Sequence, residues 1–292
     1  MNGIINIYKE QGFTSFDVVA KLRGICHIKK IGHTGTLDPD AVGVLPVCIG
    51  NATALCDMLT DKTKEYETVM MLGITTDTQD MSGTVLEVKD VNLSEADVIS
   101  CVGEFTGDIM QVPPMYSAVK VGGKKLYELA REGREVERKP RPVTVHSIEI
   151  LDISLPRVTM RISCSKGTYI RTLCNDIGQS LGCGASMESL IRTRSGQFKI
   201  KDAVKLSVVQ QWADEGSLED HILPVEAMFS DCPVIRTTPE EDKLLHNGNT
   251  MRVRTDGAAA RFRVYDSQGI FYAVYDCDPR RKILKPYKMF IP

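Results

Sequence analysis

Apolar side chains recur along this chain at two spacings, and the change from one to the other marks out its elements. Val18, Val19, Leu22 and Ile25 fall on one side of a helical turn, which predicts an amphipathic helix over residues 15–26. The runs at 4–8, 47–49, 66–74, 84–88, 143–150 and 158–163 are short and apolar or alternate with period two, and predict strands. Helices are expected at 52–59, 95–105, 125–131 and 172–181, with Gly122-Gly123 as a turn ahead of the third. Strands and helices are mixed without a regular βαβ rhythm, so the class expected is α+β, built on a substantial mixed or antiparallel sheet. The helical signal ends around 223–233, and the remainder is short and β-rich, at 250–254, 261–265, 270–275 and 283–284, with turn residues between. A boundary near residue 231 follows, giving a large domain over 1–230 and a small β domain over 231–292.

Composition narrows the partners. At 292 residues and 42% hydrophobic, the chain can bury a large core and a second small one. A net charge of −2 excludes nucleic-acid binding through bulk positive charge. Contact with RNA must then use local patches, and cations gather at 21–30, 131–141, 192–201 and 280–288. Acid gathers at 77–104 and 214–226, so a basic face opposite an acidic one is compatible with the total. The nine cysteines are scattered, without Cys-x-x-Cys and without histidines at metal-ligand spacing. Cys48, Cys56, Cys101 and Cys164 lie in apolar stretches and read as reduced, buried small hydrophobes, with neither disulfide nor zinc expected. No basic-apolar-small succession opens the chain and no apolar run reaches membrane-spanning length, so a cytoplasmic protein is expected.

One stretch fits neither period. Gly32-His33-Thr34-Gly35-Thr36-Leu37-Asp38-Pro39-Asp40-Ala41-Val42-Gly43-Val44-Leu45-Pro46 sets one carboxylate, Asp38, at a glycine-flanked bend. The glycines permit positive φ and close backbone approach, while Pro39 pushes Asp38 out of the helical region and removes a donor. Asp followed by Pro is also a common helix start, with Asp as N-cap. The complete run, His-x-Gly-x-Leu-Asp-Pro-x-Ala-x-Gly-x-Leu-Pro, resembles the catalytic loop of the TruB family of tRNA pseudouridine synthases. Gly12-Phe13-Thr14-Ser15-Phe16-Asp17-Val18-Val19, Lys64-Glu65-Tyr66, Gln111-Val112-Pro113-Pro114-Met115-Tyr116-Ser117-Ala118 and Lys166-Gly167-Thr168-Tyr169-Ile170-Arg171 are similar to further motifs of that family, in the same order. The likeness spans about the first 230 residues. It implies a pseudouridine synthase catalytic domain, and the tail resembles the small RNA-binding β-barrel called PUA; a plain stabilising barrel is the alternative.

The resemblance implies isomerisation of uridine to pseudouridine at position 55 of the tRNA T-loop, by a chain that acts alone on the T-arm stem-loop, without cofactor, metal or obligatory protein partner, as a monomer. Breaking the N1–C1′ bond and rejoining through C5 involves neither redox change nor hydrolysis, so one placed carboxylate and a pocket for the freed base suffice. Asp38 is the nucleophile in this reading, with attack at C1′, at C6 or a glycal route left open. A glycoside hydrolase would need a second carboxylate about 5 Å or about 6.5 to 9.5 Å away; Asp40 is near in sequence but reads as a solvated or capping residue. Base flipping calls for a stacking platform, and the resemblance gives that part to Tyr66. Period-two alternation puts Tyr169 and Arg171 on one face provided the backbone is extended there, and Arg171 is then expected to pair in bidentate fashion with Asp38 and lower its pKa. Leu190 is carried over as a hydrophobic wall and His33 as helping to hold the T-loop, though a satisfied loop histidine is its plainer reading. Lys21 and Lys64 are expected at phosphates. Two competitors remain: an RNA chaperone on the same scaffold, and an RNA-guided relative within a ribonucleoprotein.

Overall fold

The computed structural model describes residues 1–252 and 259–291. At its centre Gly3–Lys9, Val42–Ile49, Ala185–Ser195, Lys64–Leu72, Arg157–Cys164, Arg141–Ser154 and Gly107–Gln111 lie side by side in that order, with Ile31–His33 added to the second strand and Phe198–Lys199 to the third, making nine strands. Among the described residues all these pairs are antiparallel except Ala185–Ser195 with Val42–Ile49. The fold is α+β on a mixed sheet.

The strand expected at 47–49 begins already at Val42. Pro46 looks like a breaker, yet it sits opposite Asn6 and its carbonyl still accepts the Thr34 N–H at 3.1 Å. This strand is apolar throughout because both its faces are covered. Leu45, Val47 and Ile49 pack with Ile5, Ile7 and the buried side of helix Ser15–Cys26. Val44 and Cys48, on the other face, pack with Leu55, Phe198, Val225 and Phe229. Helix Ser15–Cys26 starts at a capping box in which Thr14 and Asp17 exchange bonds: the Asp17 N–H donates to Thr14 Oγ1 at 3.1 Å and the Thr14 N–H to Asp17 Oδ2 at 2.8 Å. A second helix, Ile170–Ser180, lays Ile170, Leu173, Cys174 and Ile177 against Met70, Met160, Ile162 and Ala185.

Three expected elements change shape. The helix at 52–59 is a 3₁₀ segment, Gly50–Leu55, followed by a short α-helix, Cys56–Thr60. The strand at 66–74 is Lys64–Leu72; at Gly73 the chain takes φ +82°, and Ile74–Thr76 leaves the sheet to pair with Val85–Val88. The tail is not purely β, since Thr238-Pro239-Glu240-Glu241 starts a helix, Pro239–His246, with a capping box and proline in the first turn. Around it Val234–Arg236, Arg261–Tyr265, Phe271–Asp278, Ile283–Met289 and Met251–Arg252 form a five-stranded sheet, in keeping with a PUA-like part; residues 253 and 254 of the strand expected at 250–254 lie outside the described residues. Val274 of this sheet and Phe290, which directly follows its strand Ile283–Met289, join the cluster of Val44, Leu55 and Phe229, so the tail is fused to the main sheet by apolar packing. Among the described residues no helix is long and apolar enough to cross a membrane.

Where the parallel pair begins, Gly43 lies opposite Arg192 at φ +104°, and a Cβ there would stand 2.3 Å from the Arg192 carbonyl oxygen. Gly43→Ala should therefore destabilise the protein by about 2–4 kcal/mol, through backbone strain and displacement of a central strand. Gly12, at φ +83° with open space around it, is the control: Gly12→Ala should cost only about 1–2 kcal/mol. Denaturant titration of the two variants measures the difference.

Candidate active site

The Asp38 loop is held from outside by the chain's first fifteen residues. The Gly12 N–H donates to the Pro39 carbonyl at 3.0 Å, and Leu37 N–H donates to Ser15 Oγ at 2.9 Å. Lys9, fully buried at the end of its strand, donates from Nζ to the carbonyls of Pro39 (2.9 Å), Phe13 (2.5 Å) and Glu10 (3.2 Å). Burial lowers the Lys9 pKa to about 8, with Asp38 and Asp40 opposing the shift. Within the loop, Ala41 N–H donates to the Asp38 carbonyl at 3.2 Å. This closes a turn with proline in its second position and no helix after it, so Asp38 is not an N-cap. Asp40 is exposed, as its solvated reading had it.

Asp38 meets Arg171: the guanidinium Nε lies 3.0 Å from Oδ2, with the arginine side chain 5% exposed and the aspartate 41%. The pair is not bidentate. Arg171 spends its other nitrogens elsewhere, Nη1 on the Thr78 carbonyl (3.0 Å) and toward Asp80 Oδ2 (3.6 Å), Nη2 on the Tyr116 carbonyl (2.8 Å). Nor is Asp38 pulled down overall. Burial pushes its pKa up, Arg171 opposes this, and the negative Asp80 adds to the rise. Asp38 is thus enclosed by protein while one side stays open to an incoming ligand.

Arg171 reaches this position from a helix rather than a strand. The extended backbone ends at Tyr169, the N-cap (φ −96°, ψ 109°), and Ile170 and Arg171 are already helical. The period-two argument for Tyr169 and Arg171 therefore fails, although both end near Asp38. Tyr169 is held by Gln111, whose amide accepts the Tyr169 N–H at 2.8 Å and donates to its carbonyl at 3.0 Å. Burial raises the Tyr169 pKa, with Arg171 and Asp38 pulling it in opposite directions. A cation at a helix start opposes the dipole; here Asp38 and Asp80 offset it.

Tyr66 and Leu190 are buried in one cluster with Leu37 and Ala41 from the two sides of Asp38. Burial raises the Tyr66 pKa, and Asp38 adds to the rise, so the phenol keeps its proton at neutral pH. His33 ends the strand Ile31–His33 and accepts the Gly35 N–H on Nδ1 at 3.3 Å; burial and then Arg192 lower its pKa, which keeps the ring neutral. Lys21 is exposed, with Nζ 5.0 Å from the centre of the Phe13 ring. Lys64 corrects the expectation of a phosphate contact: it is buried, and Nζ donates inward to the Thr60 and Lys62 carbonyls. Burial takes its pKa to about 8.

Sequence reasoning missed Lys9, Asp80, Gln111 and Arg192. Lys9 follows the expected strand at 4–8 and carries no sequence signal, and Arg192 falls in a cation cluster expected as a local patch for RNA. Asp80 was absorbed in the acidic stretch, but its carboxylate accepts from Thr78 Oγ1 (2.8 Å) and Ser82 Oγ (2.6 Å). Only Gln111 carried a signal, as the first residue of a quoted motif.

The raised Asp38 pKa has a kinetic consequence. If the carboxylate must be ionised, the rate falls on the acid side at a pH above the ordinary aspartate value of 3.8. In Asp80→Asn the midpoint should move down, because a neighbouring negative charge is gone; a single-turnover pH profile reads the shift, and an unmoved midpoint would assign the acid limb to another group.

Comparison with known proteins gives this geometry a family. Residues 23–170 match the TruB family pseudouridylate synthase N-terminal domain and residues 171–230 the tRNA pseudouridylate synthase B C-terminal domain. The chain is 50% identical to tRNA pseudouridine synthase B of Lachnoclostridium phytofermentans across 100% of both chains, and 41% identical to that of Bacillus cytotoxicus across 100% of this chain and 98% of the other. Among solved structures, one of an H/ACA RNP bound to a substrate RNA containing 2′-deoxyuridine superposes with TM-score 0.72 at 26% identity, over 99% of this chain and 85% of that one. The chain belongs to the TruB family of pseudouridine synthases.

Proposed function

We propose that this protein converts uridine to pseudouridine in tRNA, at position 55 of the T-loop, acting alone on the T-arm stem-loop. The observation that carries the reading is Asp38 at 3.0 Å from the buried Arg171, on a loop bonded on both sides and open toward solvent. The uridine leaves its stack and enters beside Tyr66 and Leu190. The C1′–N1 bond breaks with Asp38 as the attacking carboxylate, the base turns over, and a C1′–C5 bond forms as the bond from Asp38 to the nucleoside breaks and the carboxylate is restored; C5 releases its proton and N1 ends protonated, so atoms and charge balance. Arg171 holds the carboxylate oriented throughout, and the platform keeps the freed base from escaping.

His33 and Tyr169 face the incoming loop and Lys21 meets phosphate. Residues 1–230 form the catalytic domain, and 231–292 a small RNA-facing domain in the cytoplasmic enzyme. The full-length likeness to tRNA pseudouridine synthases favours a stand-alone enzyme over an RNA-guided one. Incubation of the purified chain alone with an unmodified tRNA transcript, followed by position-resolved mapping, should give one pseudouridine in the T-loop. No product without added guide RNA or partner proteins would refute the stand-alone reading.

A further inference from the structure

We propose that Arg192 is a positioning residue for the isomerisation: it ties both stems of the Asp38 loop to the strand that carries Leu190 and to Tyr66, and so fixes the carboxylate relative to the platform for the base. The proposal rests on the function given above.

Arg192 lies in a cation-rich stretch of sequence, yet it is 1% exposed and is the largest fully buried side chain among the described residues. An arginine inside a sheet is costly unless every donor is met. Among the described residues no carboxylate pairs with it. Its donors go to backbone carbonyls on both sides of Asp38: Nε to Val44, in the strand that follows the loop, at 2.6 Å, Nη2 to Gly35 at 3.2 Å and Nη1 to Thr36 at 3.4 Å. Gly35 and Thr36 precede Asp38 and Val44 follows it, so one planar fork closes the loop at its base.

The sheet register places the rest. Arg192 is directly opposite Tyr66 on one side and Gly43 on the other. Its charge opposes the rise in the Tyr66 pKa, and Leu190, two residues earlier, shares the Arg192 face of the strand. Loop, wall and platform therefore meet at one side chain. Arg192 acts here through placement: the charges that bear most on Asp38 are Arg171, Asp80, Lys9 and Asp40. One of these bonds goes to the neighbouring strand Val42–Ile49, and the other two leave the sheet for Gly35 and Thr36 of the loop.

The test compares Arg192→Lys and Arg192→Met with the wild type in single turnover at saturating tRNA, with tRNA affinity, melting temperature and pH profile measured alongside. The expected result for Arg192→Lys is a folded protein whose rate per folded molecule falls about 10²-fold while tRNA affinity changes less than about threefold. Its acid limb should stay at the wild-type midpoint. Adding Tyr66→Phe should cost less in the Arg192→Lys background than alone, because the two act as a unit. A rate within about twofold of wild type, a loss that only tracks the folded fraction, or failure of both variants to fold would overturn the proposal, the last by making Arg192 part of the frame. An inactive wild-type control would instead bring down the functional reading itself.

Discussion

Asp38→Asn should bind tRNA with nearly unchanged affinity and turn it over at least about 10⁴-fold more slowly. The amide is the same size and leaves Arg171 its bonds to the Thr78 and Tyr116 carbonyls and its neighbour Asp80, so the site's architecture has no reason to collapse. What is lost is the only oxygen pair in the loop that is both enclosed and open toward ligand. The variant should also melt at the wild-type temperature or above it. The folded pKa of Asp38 is raised above its unfolded value, so the folded state binds more protons, and stability is lost as pH rises through that window. At neutral pH the buried charge is therefore a burden on the fold, and the neutral amide removes it. Filter binding, single-turnover kinetics and calorimetry on the same preparation read all three quantities; slow turnover accompanied by loss of binding or a lower melting temperature would make Asp38 structural.

Arg171→Lys should lower the single-turnover rate about 10²-fold or more and also destabilise the fold by about 2–4 kcal/mol. The guanidinium reaches Asp38, the Thr78 carbonyl and the Tyr116 carbonyl in three directions from a plane. An ammonium group cannot meet all three from one point, and each buried acceptor left unmet costs about 1–3 kcal/mol. Arg171 is also the group that lowers the Asp38 pKa against burial, so a looser cation should move the acid limb of the rate upward in pH. A lysine variant with wild-type rate and an unmoved limb would show that charge alone, without the fork, is enough.

The helix at 15–26 and the strand at 261–265 were legible to the residue, because capping chemistry and alternation are local. The 42–49 strand was read too short because Gly43 and Pro46 look like breakers until a neighbour is present to explain them. The Asp38 loop was legible as a motif and its direction was not: that Arg171 would arrive from a helix start, and divide its bonds among four groups, depends on strands far apart in sequence. The charged groups missed at the site are buried cations capped by carbonyls and one acid capped by hydroxyls. Backbone carbonyls leave no trace in a sequence, so nothing in it marks Lys9, Lys64 and Arg192 as buried.

The most direct test follows the hydrogen on C5, which must leave if C1′ is to take its place. With tRNA carrying tritium at C5 of its uridines, the purified chain should release one equivalent per tRNA into water and Asp38→Asn, bound to the same tRNA, essentially none. Release by the asparagine variant at the wild-type rate would contradict the account at its centre.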